Sequence, residues 1–143
     1  MTAPIHKRGL LFKKGSGQGL LNRQNWKLRV FELTRTELNY YDTNKSSTLK
    51  GSLDLTTCRV ADLEIMPADC TKTGSSDSSE WRIAIQTPSR RFVFATATED
   101  EMHEWATALR AIFAANERYL IHDDGDYDQS NTFINRYLER LAC

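Results

Sequence analysis

Two hydrophobic periods divide this chain, and the place where one gives way to the other limits what it can fold into. As far as Ala95 the apolar residues come in short runs that alternate with polar ones, the period-two signature of half-buried strands. Seven such runs are read: Leu10–Lys14, Trp26–Leu33, Glu37–Tyr41, Leu49–Leu55, Cys58–Ile65, Trp81–Ile85 and Arg91–Ala95. Turn-forming residues separate them, notably Gly15-Ser16-Gly17-Gln18-Gly19 and Thr87-Pro88-Ser89-Arg90, and a loose polar loop spans Pro67 to Ser79. After Ala95 the period lengthens. Thr98 is placed to cap a helix, and Glu101, three residues on, completes a capping box. Glu99 and Asp100 lie in the first turn, where the helix dipole favours negative charge. Met102, Trp105, Ala106, Leu109, Ile112 and Phe113 then form one apolar stripe on a helix of about four turns. The expected fold is mainly β: a seven-stranded sandwich or barrel whose open end or gap buries that stripe.

The chain has 143 residues, enough to bury roughly 70% of its unfolded surface without a disulfide or metal staple. Its apolar runs are too short for a transmembrane helix. Cys58, Cys70 and Cys143 form no close pair and no zinc spacing. The amino terminus lacks the apolar stretch of a signal peptide, and neither the myristoylation nor the prenylation pattern fits. The expectation is therefore reduced thiols in a cytoplasmic protein.

The formal net charge is zero, but it is unevenly distributed. Residues 1–50 carry ten basic side chains against three acidic ones, and residues 51–143 carry nine against sixteen. A fold that keeps these halves apart presents a basic face to a polyanionic partner.

Strand alternation sharpens that expectation. On the second strand Lys27, Arg29, Phe31 and Leu33 share a face, and on the first Leu11 shares a face with Lys13. Phe31, Leu33 and Leu11 need a core, so this is the inner face. Charges cannot enter a dry core unpaired. Lys13, Lys27 and Arg29 are therefore expected together at a solvated barrel mouth. The other reading open at this point is that they are rim charges neutralised by Glu32 or Glu37.

The order and spacing of these segments resemble the pleckstrin-homology (PH) domain family. The resemblance is carried by Gly9-Leu10-Leu11-Phe12-Lys13-Lys14, by Trp26 to Leu33, by Leu38-Asn39-Tyr40-Tyr41 and by Lys50 to Leu55. Arg91 to Thr96, followed by Glu101 to Trp105, completes it, with Trp105 in the place of the family's helix tryptophan. It covers roughly residues 6–118, leaving 119–143 as an acidic linker and a short amphipathic helix. The fold implied is a bent β-barrel capped at one end by the helix. The function implied is a non-catalytic membrane-targeting or adaptor module, peripherally membrane-associated, that binds phosphoinositide headgroups. The resemblance places Lys13, Lys14, Lys27, Arg29, Tyr40 and Lys50 in the headgroup pocket. Lys13, then a loop, then Lys27-Leu28-Arg29 matches the pattern of phosphoinositide-binding members. Tyr40 and Lys50 match further positions of that pocket. Arg23 and Lys45 would add attraction to an anionic leaflet, and Leu20-Leu21 would either dip into the acyl region or fold back onto the barrel. The alternative is a PH-fold protein-interaction module without strong lipid binding.

Other chemistries find little support. His6, His103 and His122 are scattered, and no nucleophile elbow, P-loop or zinc-protease motif occurs. Asp124, Asp126 and Asp128 begin like a calcium loop, but Gln129 stands where glycine is needed and Asn135 where glutamate is needed. No catalytic residue, metal or cofactor is assigned. Nucleic acid is disfavoured by a pI of about 6.8 and by aromatics (Trp26, Phe31, Trp81, Phe92, Phe94) that read as core. Asn131 to Leu141 places Phe133, Ile134, Tyr137, Leu138 and Leu141 on one helical face. That face could rest on the barrel, pair with a second copy or dock a protein partner. A further expectation is that the tail folds over the basic mouth and gates it.

Overall fold

Strand β1 (Lys7–Lys14) and strand β2 (Trp26–Leu33) form a full-length antiparallel hairpin, and the rest of the fold is built outward from it. The computed structural model describes residues 4–15, 26–44, 48–70 and 78–122. To one side of the hairpin lie β3 (Glu37–Tyr41) and β4 (Leu49–Asp54). To the other lie β7 (Arg91–Ala95), β6 (Arg82–Gln86) and β5 (Leu63–Ile65). The order is β4-β3-β2-β1-β7-β6-β5 in a single antiparallel sheet, bent but not closed, with β4 and β5 as its edges.

The expected second, third and seventh strands are found with the bounds read from the sequence. The fifth differs. Between Cys58 and Ile65 the chain makes a 3-10 turn, Val60–Asp62, before three residues of strand. Helix α1 (Glu99–His122) is also longer than the expected four turns, at 24 residues. It therefore runs past residue 118, and the first residues of the segment read as a linker are helical.

Alternation along the strands decides what is buried. Leu11, Phe31, Leu33, Leu38 and Phe94 are at most 1% exposed and meet on the concave face. Helix α1 lays its stripe onto them, and Met102, Trp105, Leu109 and Phe113 are all buried in the same cluster. The helix start follows its sequence signature. The Thr98 hydroxyl accepts the Glu101 N–H at 3.2 Å, while the Glu101 carboxylate accepts the Ala97 N–H at 3.4 Å. Trp105 seats against the near end of the hairpin. A Cβ on Gly9 would lie 3.3 Å from its ring, so glycine there lets the indole approach the β1 backbone. Further along α1, the buried Asn116 amide donates to the carbonyls of Leu55 and Cys58 at 2.6 and 3.4 Å. The Glu117 carboxylate accepts the Val60 N–H at 2.8 Å. These bonds tie the helix to the segment after β4.

The helix thus closes the Lys7/Leu33 end of the hairpin. The Lys13/Lys27 end is six residues away along β1, about 20 Å at strand rise, and the helix does not reach it.

Trp26 packs into a second cluster and not into the core under the helix. It lies on the opposite side of the sheet from Lys27 and is packed, half-buried, with Cys70, Ala84 and Val93. The Arg82 guanidinium stacks 4.4 Å from its ring.

Candidate functional site

Hairpin register brings the predicted cations together. Lys13 stands directly opposite Lys27, and Leu11 directly opposite Arg29. Directly opposed residues share a face, so Lys13, Lys27 and Arg29 all lie on the concave side, at the end away from the helix. Phe31 and Leu33 continue the same line of β2 into the core.

Aromatic rings floor this hollow. The Lys13 ammonium sits 5.1 Å from the centre of the Tyr40 ring and 5.5 Å from that of Phe92. Tyr40 packs on Phe31 and Phe92 at 5.8 and 5.7 Å. It is 7% exposed, so it is a core aromatic as well as the floor of the hollow. Its position depends on Gly51, its partner on β4. A Cβ there would fall 2.1 Å from the Tyr40 hydroxyl, so the phenol lies across a backbone that only glycine leaves free.

A fourth cation was not anticipated. Arg90, in the β6–β7 turn, places its guanidinium 5.3 Å from the Phe92 ring and donates to the Tyr40 hydroxyl at 3.5 Å. Strand parity carries no information in a turn, so the only available signal was a basic residue just before the seventh strand. Lys13 registers the crowding. Its pKa is pushed down from the ordinary lysine value by burial first, then by Arg90, Arg29 and Lys27. Among the described residues, no carboxylate lies within 4 Å of any of the four. Glu32 instead pairs with Arg8 at 3.6 Å, and Glu37 accepts the Ser52 hydroxyl, so neither neutralises the mouth. Such a hollow can hold a compact polyanion, with Arg29 and Arg90 offering forked donors and the lysines mobile point charges.

Two expected members stand apart. Lys14 follows Lys13 by one residue and therefore projects from the other face, where its ammonium donates to the Cys70 thiol at 3.6 Å. It therefore stands outside the hollow that holds Lys13. Lys50 is the extra residue of a bulge: Tyr40 pairs with Gly51 and Tyr41 with Leu49, leaving Lys50 between them. Its ammonium is 3.7 Å from Asp42. That carboxyl is held below the usual range by the Asn44 N–H first, with Lys50 and Arg29 adding to the effect. Leu20, Leu21, Arg23 and Lys45 lie outside the described residues, as do the Asp124–Asp128 run and the 131–141 stripe.

A second hollow, of about 500 Å³, lies between β4 and the β6–β7 turn and shares only Arg90 with the first. Its lining also includes Asp54 and the hydroxyl-bearing Ser52, Thr57, Thr87 and Ser89, so it carries one carboxylate and one guanidinium where the first hollow carries four cations. Among the described residues, no group of three or more His, Cys, Asp or Glu side chains is placed to hold a metal. None of their helices is long and apolar enough to cross a membrane.

Comparison with known proteins agrees with this architecture. The family model described as PH domain matches residues 5–113. A RAC family serine/threonine-protein kinase homolog of Dictyostelium discoideum is 32% identical over 124 residues, covering 87% of this chain and 23% of that protein. The chain therefore spans about a quarter of the length of this relative. The C-terminal PH domain of human pleckstrin is 25% identical with a TM-score of 0.58, over 76% of this chain and 86% of that one. A crystal structure of the pleckstrin C-terminal PH domain in complex with D-myo-Ins(1,2,3,5,6)P5 aligns with a TM-score of 0.56 at 25% identity, over 78% of this chain and 98% of that one.

Proposed function

The chain belongs to the PH domain family, and from that premise we propose that it is a non-catalytic module that binds phosphoinositide headgroups and so visits anionic membranes. The observation that carries this reading is the convergence of Lys13, Lys27, Arg29 and Arg90 on one aromatic-floored hollow, with no carboxylate within 4 Å of any of them among the described residues. Keeping four like charges together costs stability unless a ligand of opposite sign uses them. The pleckstrin domain solved with an inositol pentakisphosphate supports a ligand of this class.

In this reading Arg29 and Arg90 grip phosphate oxygens in two-pronged fashion. Lys13 and Lys27 supply point charges, and Tyr40 fixes the floor. Lys50, already paired with Asp42, contributes less than the other four. Lys14 acts from the opposite face as a general attraction to the leaflet. Arg23 and Lys45 add to that attraction, at about 1 kcal/mol per charge near the surface, and Leu20-Leu21 supplies the apolar contact.

Liposome sedimentation tests the proposal. Wild type should pellet with vesicles that contain phosphoinositides and not with phosphatidylcholine alone, and Arg29→Ala should lose most of that binding. No sedimentation of wild type with either vesicle would refute it and favour the protein-interaction module.

A further inference from the structure

An apolar row crosses the outer, convex face of four strands. Leu10 stands opposite Val30, Val30 opposite Tyr41, and Tyr41 opposite Leu49. Leu10 and Leu49 are 55% and 53% exposed, while Val30 and Tyr41 are partly so. Phe12 and Leu28, paired one step further along the hairpin, widen the patch, with Leu28 38% exposed. The Arg8–Glu32 ion pair borders it on the side toward α1. Four strands at 4.8 Å spacing make the row about 14 Å wide.

The chain also holds an apolar face of matching size. Wound as a helix, Asn131–Leu141 puts Phe133, Ile134, Tyr137, Leu138 and Leu141 within an arc of about 140°. Eleven residues of helix are about 16 Å long, close to the width of the row.

Tether length and polarity together select the surface this segment covers. Tyr119, near the end of α1, has its ring 5.4 Å from the guanidinium carbon of Arg35, in the β2–β3 turn. Val30 is five residues up β2 from Arg35, about 17 Å away. Residues 123–130 can extend about 28 Å, enough to bring the stripe onto the row. The basic mouth is further off. Lys27 is eight residues from Arg35, about 26 Å. The same tether spans that distance too, so polarity decides: an apolar stripe gains by covering the apolar row and nothing by covering four cations.

We propose that residues 131–141 dock as an amphipathic helix on the outer sheet face formed by Leu10, Leu28, Val30, Tyr41 and Leu49 of the same chain. A short tether holds the segment at millimolar effective concentration beside this face, ahead of a second copy or another partner. The docked helix leaves the mouth open and shields the apolar row from water. This inference does not depend on which ligand the mouth takes.

The test uses the full chain. Cys143 lies two residues beyond the stripe, whereas Cys58 and Cys70 are buried, so a nitroxide reagent labels the tail end selectively. The label should broaden the amide signals of Leu10, Val30 and Tyr41 within the same molecule. The double variant Phe133→Glu, Leu138→Glu should abolish that broadening and leave the rest of the spectrum unchanged. Absence of broadening in the wild type, or broadening confined to the Lys13 and Lys27 end, would overturn the proposal. So would broadening seen only when labelled and isotope-enriched molecules are mixed, which would make the occupant a second copy.

Discussion

Replacing Lys13 by methionine separates binding from folding at the mouth. The lysine stem already lies against Tyr40 and Phe92, and the methionine chain keeps most of that contact while losing the charge. Two effects on stability oppose each other. Burial, together with Arg90, Arg29 and Lys27, holds the lysine pKa below its ordinary value, so the native state disfavours the ammonium. The two cation–π contacts return about 0.5–1 kcal/mol each. The net change in unfolding free energy should stay within about 1 kcal/mol, a few degrees in Tm for a domain of this size. Binding should respond differently. Loss of one hydrogen bond between charged groups costs about 1.5–3 kcal/mol, or about 10- to 150-fold in Kd for an inositol polyphosphate. The pH dependence gives a second readout. With its folded pKa below the unfolded value, Lys13 costs stability while charged in both states, and the cost fades as pH rises through the folded pKa. Wild-type stability should therefore contain an alkaline rise that Lys13→Met lacks, and ligand affinity should fall over the same range. Calorimetric titration and thermal melts across pH read both quantities. A variant destabilised by more than about 2 kcal/mol with unchanged ligand affinity would refute the reasoning, because Lys13 would then be a structural residue.

Three further outcomes follow from packing. Gly51→Ala should displace the Tyr40 phenol, cost about 1–3 kcal/mol in chemical denaturation and weaken headgroup binding at the same time. Asn116→Ala should cost about 1–3 kcal/mol, because the buried carbonyls of Leu55 and Cys58 lose their donor, and hydrogen exchange should rise first around Val60. Cys58 should resist thiol reagents at pH 8 in the folded chain, since burial, with Asp62 and Asp54, pushes its pKa up to about 11; modification as fast as that of Cys143 would contradict this.

The fold was legible wherever a period ran unbroken. Alternation from Trp26 to Leu33 and from Glu37 to Tyr41 fixes both the strands and their inner faces, and the stripe from Met102 to Phe113 fixes what closes them. The core of the candidate site came from the same rule, because Lys13, Lys27 and Arg29 share parity with buried leucine and phenylalanine. That rule also sets Lys14 and Trp26 on the other face, where they are found. Three features lay beyond it. Arg90 sits in a turn, where no parity applies. Lys50 takes its direction from a bulge, which depends on how two strands meet rather than on either alone. The 3-10 turn at Val60–Asp62 is held locally by the Asp62 carboxylate on the Arg59 N–H and at long range by Glu117 on the Val60 N–H, and the second contact is one no local pattern encodes.

The most direct test of the account is a titration of the isotope-labelled full chain with a soluble inositol polyphosphate, followed by amide and side-chain chemical shifts. The account predicts saturable shifts centred on Lys13, Lys27, Arg29 and the Thr87–Arg90 turn, weakened by added salt and abolished in Arg29→Ala. Saturable shifts centred instead on Lys14, Trp26 and Arg82 across the sheet, or no shifts at all, would contradict it.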